Sequence, residues 1–379
     1  MNNFLLKEII NSDILSEIIK IGFQENYAPF VVDKFSGKNI KIFNLTCAQA
    51  NILKQTALSV GSDCATHKDV ITGKIEFSDV ILTGSVYQLK QIAKKLEHQP
   101  FKLKFLGEEL ENLLSVQKSG STKIMGILNI TEDSFSDGGM FNDFNSATEH
   151  LKQLIQDGAD IIDIGAESTK PYSEPVCPDA QLEKLIPILQ FINENEIDVK
   201  VSIDTRSSIV AKECLKYGVK YINDVSGMDY DLEIGKVVAT SNAKIILQHS
   251  LSTPDTMQNS PEYDWLMDDI YINLSKKVKC ALSQGISKEN ILIDPGIGFG
   301  KTREHNFEII RRIEELNGLN CPVVLGLSRK SLLNMPSSSN DEKDIFTLAL
   351  NSLAIERKVD IIRVHNVKLH KKYMDIKVY

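Results

Sequence analysis

Polar side chains recur at one kind of place in this chain. Asn129, Asp204, Asn223, Asp294, Lys330, Arg363 and His365 each follow an apolar run by a residue or a few. Carboxylates and amides can accept and donate along the edge of a flat polar heterocycle, and the cations can hold an anionic leaving group. Singly, each has an ordinary explanation. Asn223 could cap, and Asp294, which precedes Pro295, could open a turn. Repeated after successive apolar runs, they predict one shared mouth with binding or catalytic duty.

The loops carry further chemistry. Asn129 to Phe141 (NITEDSFSDGGMF) is rich in turn formers, acids and hydroxyls, the composition of an active-site lid. Gly165 to Val176 (GAESTKPYSEPV) brings Ser168, Thr169 and Lys170. Asp294 to Thr302 (DPGIGFGKT) invites a P-loop reading, but its spacing is GxGxGK and not GxxxxGK[ST], so that reading is rejected. Its glycines are expected to let the backbone approach a flat ligand. GLSRKS (Gly326 to Ser331) and RVH (Arg363 to His365) supply cations and hydroxyls suited to phosphate.

What could bring these ends together is a closed parallel sheet. Apolar runs end at Asn129, Gly165, Asp204, near Asn223, at His249, Asp294, Ser328 and His365, which makes eight strand candidates. They are nearly continuous runs, as expected of strands covered on both faces. Helical stripes fill the gaps: Ala147, Leu151, Leu154 and Ile155 after a capping box read at Ser146 and Glu149, then Leu182 to Ile192, then Ile209 to Leu215 stopped by Gly218. Eight strand–helix units predict a TIM (β/α)8 barrel, whose active site lies at the C-terminal strand ends; a doubly wound open sheet is the alternative.

The chain has 379 residues, room for the barrel and a second domain. A polar stretch from Ser115 to Thr122 sets the boundary, giving a small α/β domain over 1–120 and the barrel over 121–379. In the first domain, Ile40 to Leu45 and Val80 to Leu82 read as strands, and Cys47 to Val60 and Ser85 to Leu96 as helices. No site is read there; Cys64 and His67 lie close together but lack further ligands. The net charge of −8 argues against general nucleic-acid binding. The N-terminus, with acids interrupting its apolar positions, reads as an amphipathic helix and not a signal peptide or membrane span. Six cysteines without a CxxC pair fit buried thiols in a reducing cytoplasm.

The motifs MGILNITEDSFSDGG, GADIIDIGAESTKP, VSIDTR, YINDVSG, ILIDPGIGFGKT, GLSRKS and IIRVHNV, in this order, resemble those of dihydropteroate synthases from about Lys123 onward. The resemblance implies a transferase that joins a pterin methyl diphosphate to 4-aminobenzoate. It implies that Asp294, Asp204 and Asn223 meet the edges of the pterin, that Lys330 reaches its carbonyl oxygen and N5, and that Phe299 walls the ring. Arg363 would stack on the pterin and touch phosphate; His365, with Asn129 and a Mg2+ ion, would hold the diphosphate. Phe135, Thr169, Lys170 and Ser328 would border the aminobenzoate. Asn129, Asp204, Lys330, Arg363 and His365 are thus the catalytic candidates, in a homodimer with small-molecule partners only.

The chain departs from the family pattern at Glu132 (usually proline), Ala166 (glycine), Lys170 (arginine), Gln248 (often methionine) and Asn366 (commonly aspartate). Lysine lacks the planar fork of arginine, so the second-loop contact is expected to differ. Two rival readings are a pterin-dependent methyltransferase acting on a corrinoid protein and a pterin-binding paralogue without catalysis. The first gives no reason for the SFSDGG, SRKS and RVH motifs together.

Overall fold

A computed structural model describes residues 14–115, 120–130, 139–167, 176–250, 261–330 and 339–377. The chain divides into two compact units, Met1–Gln117 and Lys118–Tyr379.

The first unit holds a three-stranded antiparallel sheet of β1 (Gly37–Thr46), β2 (Asp63–Thr66) and β3 (Phe77–Ser85), in the order β1-β3-β2. β2 is only four residues long, DCAT, too short to show an apolar pattern in the sequence. Two helices, Cys47–Leu58 and Val86–Leu96, begin directly at strand ends, and each carries a capping box, Thr46 with Gln49 and Ser85 with Gln88. Leu53, Leu82, Leu89, Ile92, Leu96 and Leu103 fill the core between sheet and helices. At the N-terminus, the described part of the expected amphipathic helix is Ile14–Lys20. No helix among the described residues is long and apolar enough to cross a membrane.

The second unit is the barrel. Its strands are β4 (Lys123–Asn129), β5 (Ile161–Gly165), β6 (Lys200–Asp204), β7 (Tyr221–Asp224), β8 (Lys244–Gln248), β9 (Ile291–Asp294), β10 (Val324–Gly326) and β11 (Ile361–Val364). Neighbours pair in parallel in the order β10-β11-β4-β5-β6-β7-β8-β9. A parallel bridge between Ile293 and Val323 closes the ring. One expectation is corrected here. The helix after β4 runs Gly139–Gln156, so Ser146 lies inside it and is no N-cap. Phe144 packs edge-on against Phe191 at 6.0 Å, extending the buried stripe a turn before the residues the sequence pattern picked out.

Side chains alternate along each strand, and this alternation builds the site. Ile124, Ile162, Ile203, Ile222, Ile245, Ile293 and Ile362 face the surrounding helices. Met125, Ile161, Tyr221, Ile246, Leu292, Val324 and Ile361 form a separate buried cluster inside the ring. Two residues further along the same faces stand Asp163, Asn223, Gln248, Asp294 and Arg363. An apolar floor therefore seals the interior, and the next layer up is polar. The strand register then sets these groups side by side. Asn129 pairs with Gly165, Gly165 with Asp204, Asp204 with Asn223, and Gln248 with Asp294.

Candidate functional site

Arg363 is the hub of the polar layer. Its Nε donates to Asp163 Oδ2 at 2.6 Å and its Nη2 to Asp204 Oδ2 at 2.8 Å. Asn223 Nδ2 donates to the same Asp163 oxygen at 3.0 Å. Burial opposes the guanidinium charge, but Asp163 and Asp204 outweigh it and hold the Arg363 pKa above its ordinary value. Burial, joined by the carboxylates of Asp163, Glu167 and Asp224, raises the Asp204 pKa, with Arg363 pulling the other way. With one amide N–H committed to Asp163, Asn223 keeps its second N–H as a donor and its carbonyl oxygen as an acceptor.

The opposite wall is built by Asp294 and the turn that follows β9. Asp294 Oδ1 accepts the Gly296 N–H at 2.6 Å. Burial raises the Asp294 pKa, resisted by Lys330 and by that backbone contact. Lys330 Nζ donates to the Ile297 carbonyl at 2.6 Å and lies 4.6 Å from the centre of the Phe299 ring. Burial lowers its pKa to about 8, resisted by the Asp294 charge. Gly296 sits at φ +69°, and a Cβ there would fall 1.9 Å from the His249 carbonyl oxygen. The close approach at this glycine is thus to another strand end and not to a ligand. Below the turn, Lys301 is buried against His249 Nδ1 at 2.9 Å and the Phe299 carbonyl at 2.9 Å. Burial, with Lys301 and Lys277 nearby, pushes His249 down to about 2, so its ring is neutral and accepts from Lys301.

Ser328, Arg329 and Lys330 follow β10, and His365 and Asn366 follow β11. Ser328 Oγ accepts the His365 backbone N–H at 3.1 Å and meets its Nδ1 at 2.9 Å. Burial, then Arg329 and Arg363, push His365 down to about 3, so the imidazole is neutral. Arg329 pairs with Asp344 through both Nε and Nη2, each at 2.8 Å. Asn129 is exposed at the end of β4, beside Gly165.

Asn129, Asp204, Asn223, Asp294, Phe299, Ser328, Lys330, Arg363 and His365 therefore all stand at the C-terminal ends of the strands or in the turns that follow them. Phe135, Thr169 and Lys170 lie outside the described residues, as do Glu132 and Ser331. Sequence reasoning missed Asp163, which is fully buried. It sits inside DIIDIG, and the alternation that puts Ile161 inside the ring was the signal that could have found it. It also missed Glu167, which receives Arg206 at 2.8 Å while Arg206 lies over the Tyr230 ring at 4.3 Å.

Comparison with known proteins bears on this barrel directly. A pterin binding enzyme family model matches residues 125–365. A Clostridium difficile dihydropteroate synthase, solved in the presence of pteroic acid, superposes with a TM-score of 0.64 at 38% identity, covering 70% of this chain and 99% of that one. The chain belongs to the dihydropteroate synthases. Two relatives extend the likeness beyond the dihydropteroate synthase barrel. A probable bifunctional folylpolyglutamate synthase/dihydropteroate synthase of Haloferax volcanii is 33% identical over 343 residues. That match takes in 84% of this chain but only 40% of the relative's length. A bifunctional dihydropteroate synthase/dihydropteroate reductase of Helicobacter pylori is 32% identical over 365 residues, 95% of each chain. The polar layer stands at the C-terminal mouth, the face at which TIM barrels carry their active sites.

Proposed function

We propose that the barrel condenses 6-hydroxymethyl-7,8-dihydropterin diphosphate with 4-aminobenzoate, giving 7,8-dihydropteroate and diphosphate. The observation that carries this reading is the polar layer in which Asp204, Asn223 and Asp294 line the interior with Arg363 and Lys330 among them. Carboxylates and an amide oxygen suit the ring N–H and amino donors of a pterin, and Lys330 suits its carbonyl oxygen. The methylene C–O bond breaks and its electron pair leaves with the diphosphate. Arg363 and His365 face that developing charge. The positive charge left on the pterin methylene is favoured by the buried carboxylates Asp204 and Asp294. The amine of 4-aminobenzoate then bonds to the methylene and loses its proton. No strong base is required of the protein.

Among the described residues no group of three or more His, Cys, Asp or Glu side chains could hold a metal ion. Mg2+ accepts a sparse protein shell when phosphate oxygens and water complete it, and the exposed Asn129 amide fits that role. Asn129 would hold the ion, which would supply charge neutralisation at the diphosphate. The homodimer implied by the family is part of the same proposal, with light scattering as its check.

The test is diphosphate release by the purified chain given pterin diphosphate, Mg2+ and 4-aminobenzoate. Release that requires all three supports the reading; pterin binding without release leaves the paralogue without catalysis. A pH profile adds a second check. Asp204 and Asp294 act ionised, and burial raises both above the ordinary 3.8. Lys330 acts protonated, and burial lowers it to about 8. Activity is therefore lost as pH falls through the raised carboxylate values and again as pH rises through about 8. A bell-shaped kcat/KM is expected, because that ratio reports groups of the free enzyme. A flat profile between about pH 5 and pH 9 would contradict these assignments.

The end-to-end match to the Helicobacter pylori relative favours a second reading, that this chain also reduces dihydropteroate. Incubation of the chain with dihydropteroate and a reduced nicotinamide or flavin should then yield the tetrahydro product. Unchanged dihydropteroate with both donors would refute it.

A further inference from the structure

One carboxylate outside the barrel mouth gathers the two turns that carry Lys330 and His365. Asp344 lies on the helix Asn340–Glu356, on the outer side of the sheet, and is 2% exposed. Its Oδ1 takes Arg329 Nε, and its Oδ2 takes both Arg329 Nη2 at 2.8 Å and Asn366 Nδ2 at 3.2 Å. Arg329 belongs to the turn after β10, flanked by Ser328 and Lys330. Asn366 belongs to the turn after β11 and directly follows His365. The two turns are joined a second time where Ser328 Oγ meets His365.

Both residues that Asp344 grips are under constraint. Arg329 has φ +56°, the left-handed region that a residue with a Cβ enters at a cost. A bidentate ion pair is a means of holding it there. Asn366 divides its amide, with Oδ1 accepting the Leu369 N–H at 3.0 Å at the start of the helix Val367–Lys377 and Nδ2 turned to Asp344. An aspartate at 366 could serve the helix but would place a second carboxylate against Asp344. The departure at 366 and the presence of Asp344 are thus linked in one hydrogen-bonded unit.

We propose that Asp344 and Asn366 form a clamp that sets the spacing between Lys330 and His365, and so the fit of the site to the phosphate end of its substrate. Asp344 is a positioning residue: it acts through Arg329 and Asn366. The proposal rests on the reading of the site given above, in which His365 serves the diphosphate and Asp294 and Asn223 serve the ring.

The experiment is calorimetry with two probes, 6-hydroxymethylpterin and its diphosphate, on wild type, Asp344→Asn, Asn366→Asp and the double variant. Each single change should lower the preference for the diphosphate over the phosphate-free pterin by about tenfold, the scale of coupling between contacting residues. Affinity for the phosphate-free pterin, which Lys330 also serves, should fall by less than affinity for the diphosphate. The double variant exchanges the two groups, keeping one carboxylate and one amide donor in contact with each other, and should recover most of the preference. Equal losses for both probes would reduce Asp344 to a structural prop. An unchanged preference, or a double variant no better than the product of the two single losses, would overturn the clamp. Diphosphate release by wild type in the same buffer tests the reading of the site separately.

Discussion

Asp163→Asn is expected to lower kcat/KM by two to three orders of magnitude while the chain still folds. Arg363 is held between Asp163 and Asp204 at 2.6 and 2.8 Å, in a layer sealed from below by Ile161, Tyr221 and Ile361. An asparagine can be set in either of two ways. With its oxygen toward Arg363 and Asn223, its amide N–H2 takes the place of Asp163 Oδ1, a buried atom with no hydrogen-bond partner. With the amide reversed, its N–H2 meets Arg363 Nε and Asn223 Nδ2, and three donors face one another. In both settings Arg363 keeps only one close carboxylate, and breaking a buried pair typically costs about 3–5 kcal/mol. In the proposed reading Arg363 and Asn223 touch substrate, so much of that cost should appear in the transition state, at a factor of ten for about 1.4 kcal/mol. The check is kcat/KM beside the melting temperature. A loss under about threefold with an unchanged melting temperature would show that Asp163 does not hold Arg363 in the working enzyme.

This residue also shows how much of the site could be read from the chain alone. Asn129, Asp204, Asn223 and Asp294 were visible because each ends its apolar run, so a polar letter marks the edge of a strand. Asp163 lies inside its run, between Ile162 and Ile164, and looks like an interruption. Only the two-residue alternation, which sends Ile161 and Asp163 to the interior and Ile162 and Ile164 to the helices, gives it a purpose. Asp344 was hidden for another reason. It belongs to a helix on the outside of the sheet, and nothing in the spacing of NDEKDIF says that one acid will face Arg329, 15 residues earlier. The barrel itself was legible because eight apolar runs alternate with helical stripes. β2 was not, because four residues carry too little pattern. The capping box at Ser146 was misread because a Ser–x–x–Glu spacing also occurs inside helices, and the local signal carries no account of what Phe144 finds to pack against.

Gly296→Ala should be the most damaging of the conservative changes at the mouth. A methyl group at this position would lie 1.9 Å from the His249 carbonyl oxygen and 3.2 Å from Gln248 Cγ, at φ +69°. The left-handed conformation alone costs a residue with a Cβ about 1–2 kcal/mol, and forcing an extra carbon into a packed interior typically adds about 1–3 kcal/mol. In a unit of this size each kcal/mol shifts the melting temperature by about 2–4 °C, so a fall on the order of 10 °C is expected. The neighbour cannot yield cheaply, because the His249 backbone N–H is bonded to the Asp294 carbonyl at 2.9 Å and Gln248 pairs with Asp294 in the sheet. Relief would have to part the ends of β8 and β9, moving the carboxylate assigned to the pterin edge. Gly298→Ala is the fitting comparison. It shares a positive φ, +80°, but its nearest atom is Lys330 Cδ at 3.3 Å, part of a flexible side chain. That variant should lose less stability and show its effect in pterin affinity through Lys330. If both alanines cost the same stability, backbone conformation and not the contact with His249 sets the requirement for glycine, and the tight seam between β8 and β9 has no part in fixing Asp294.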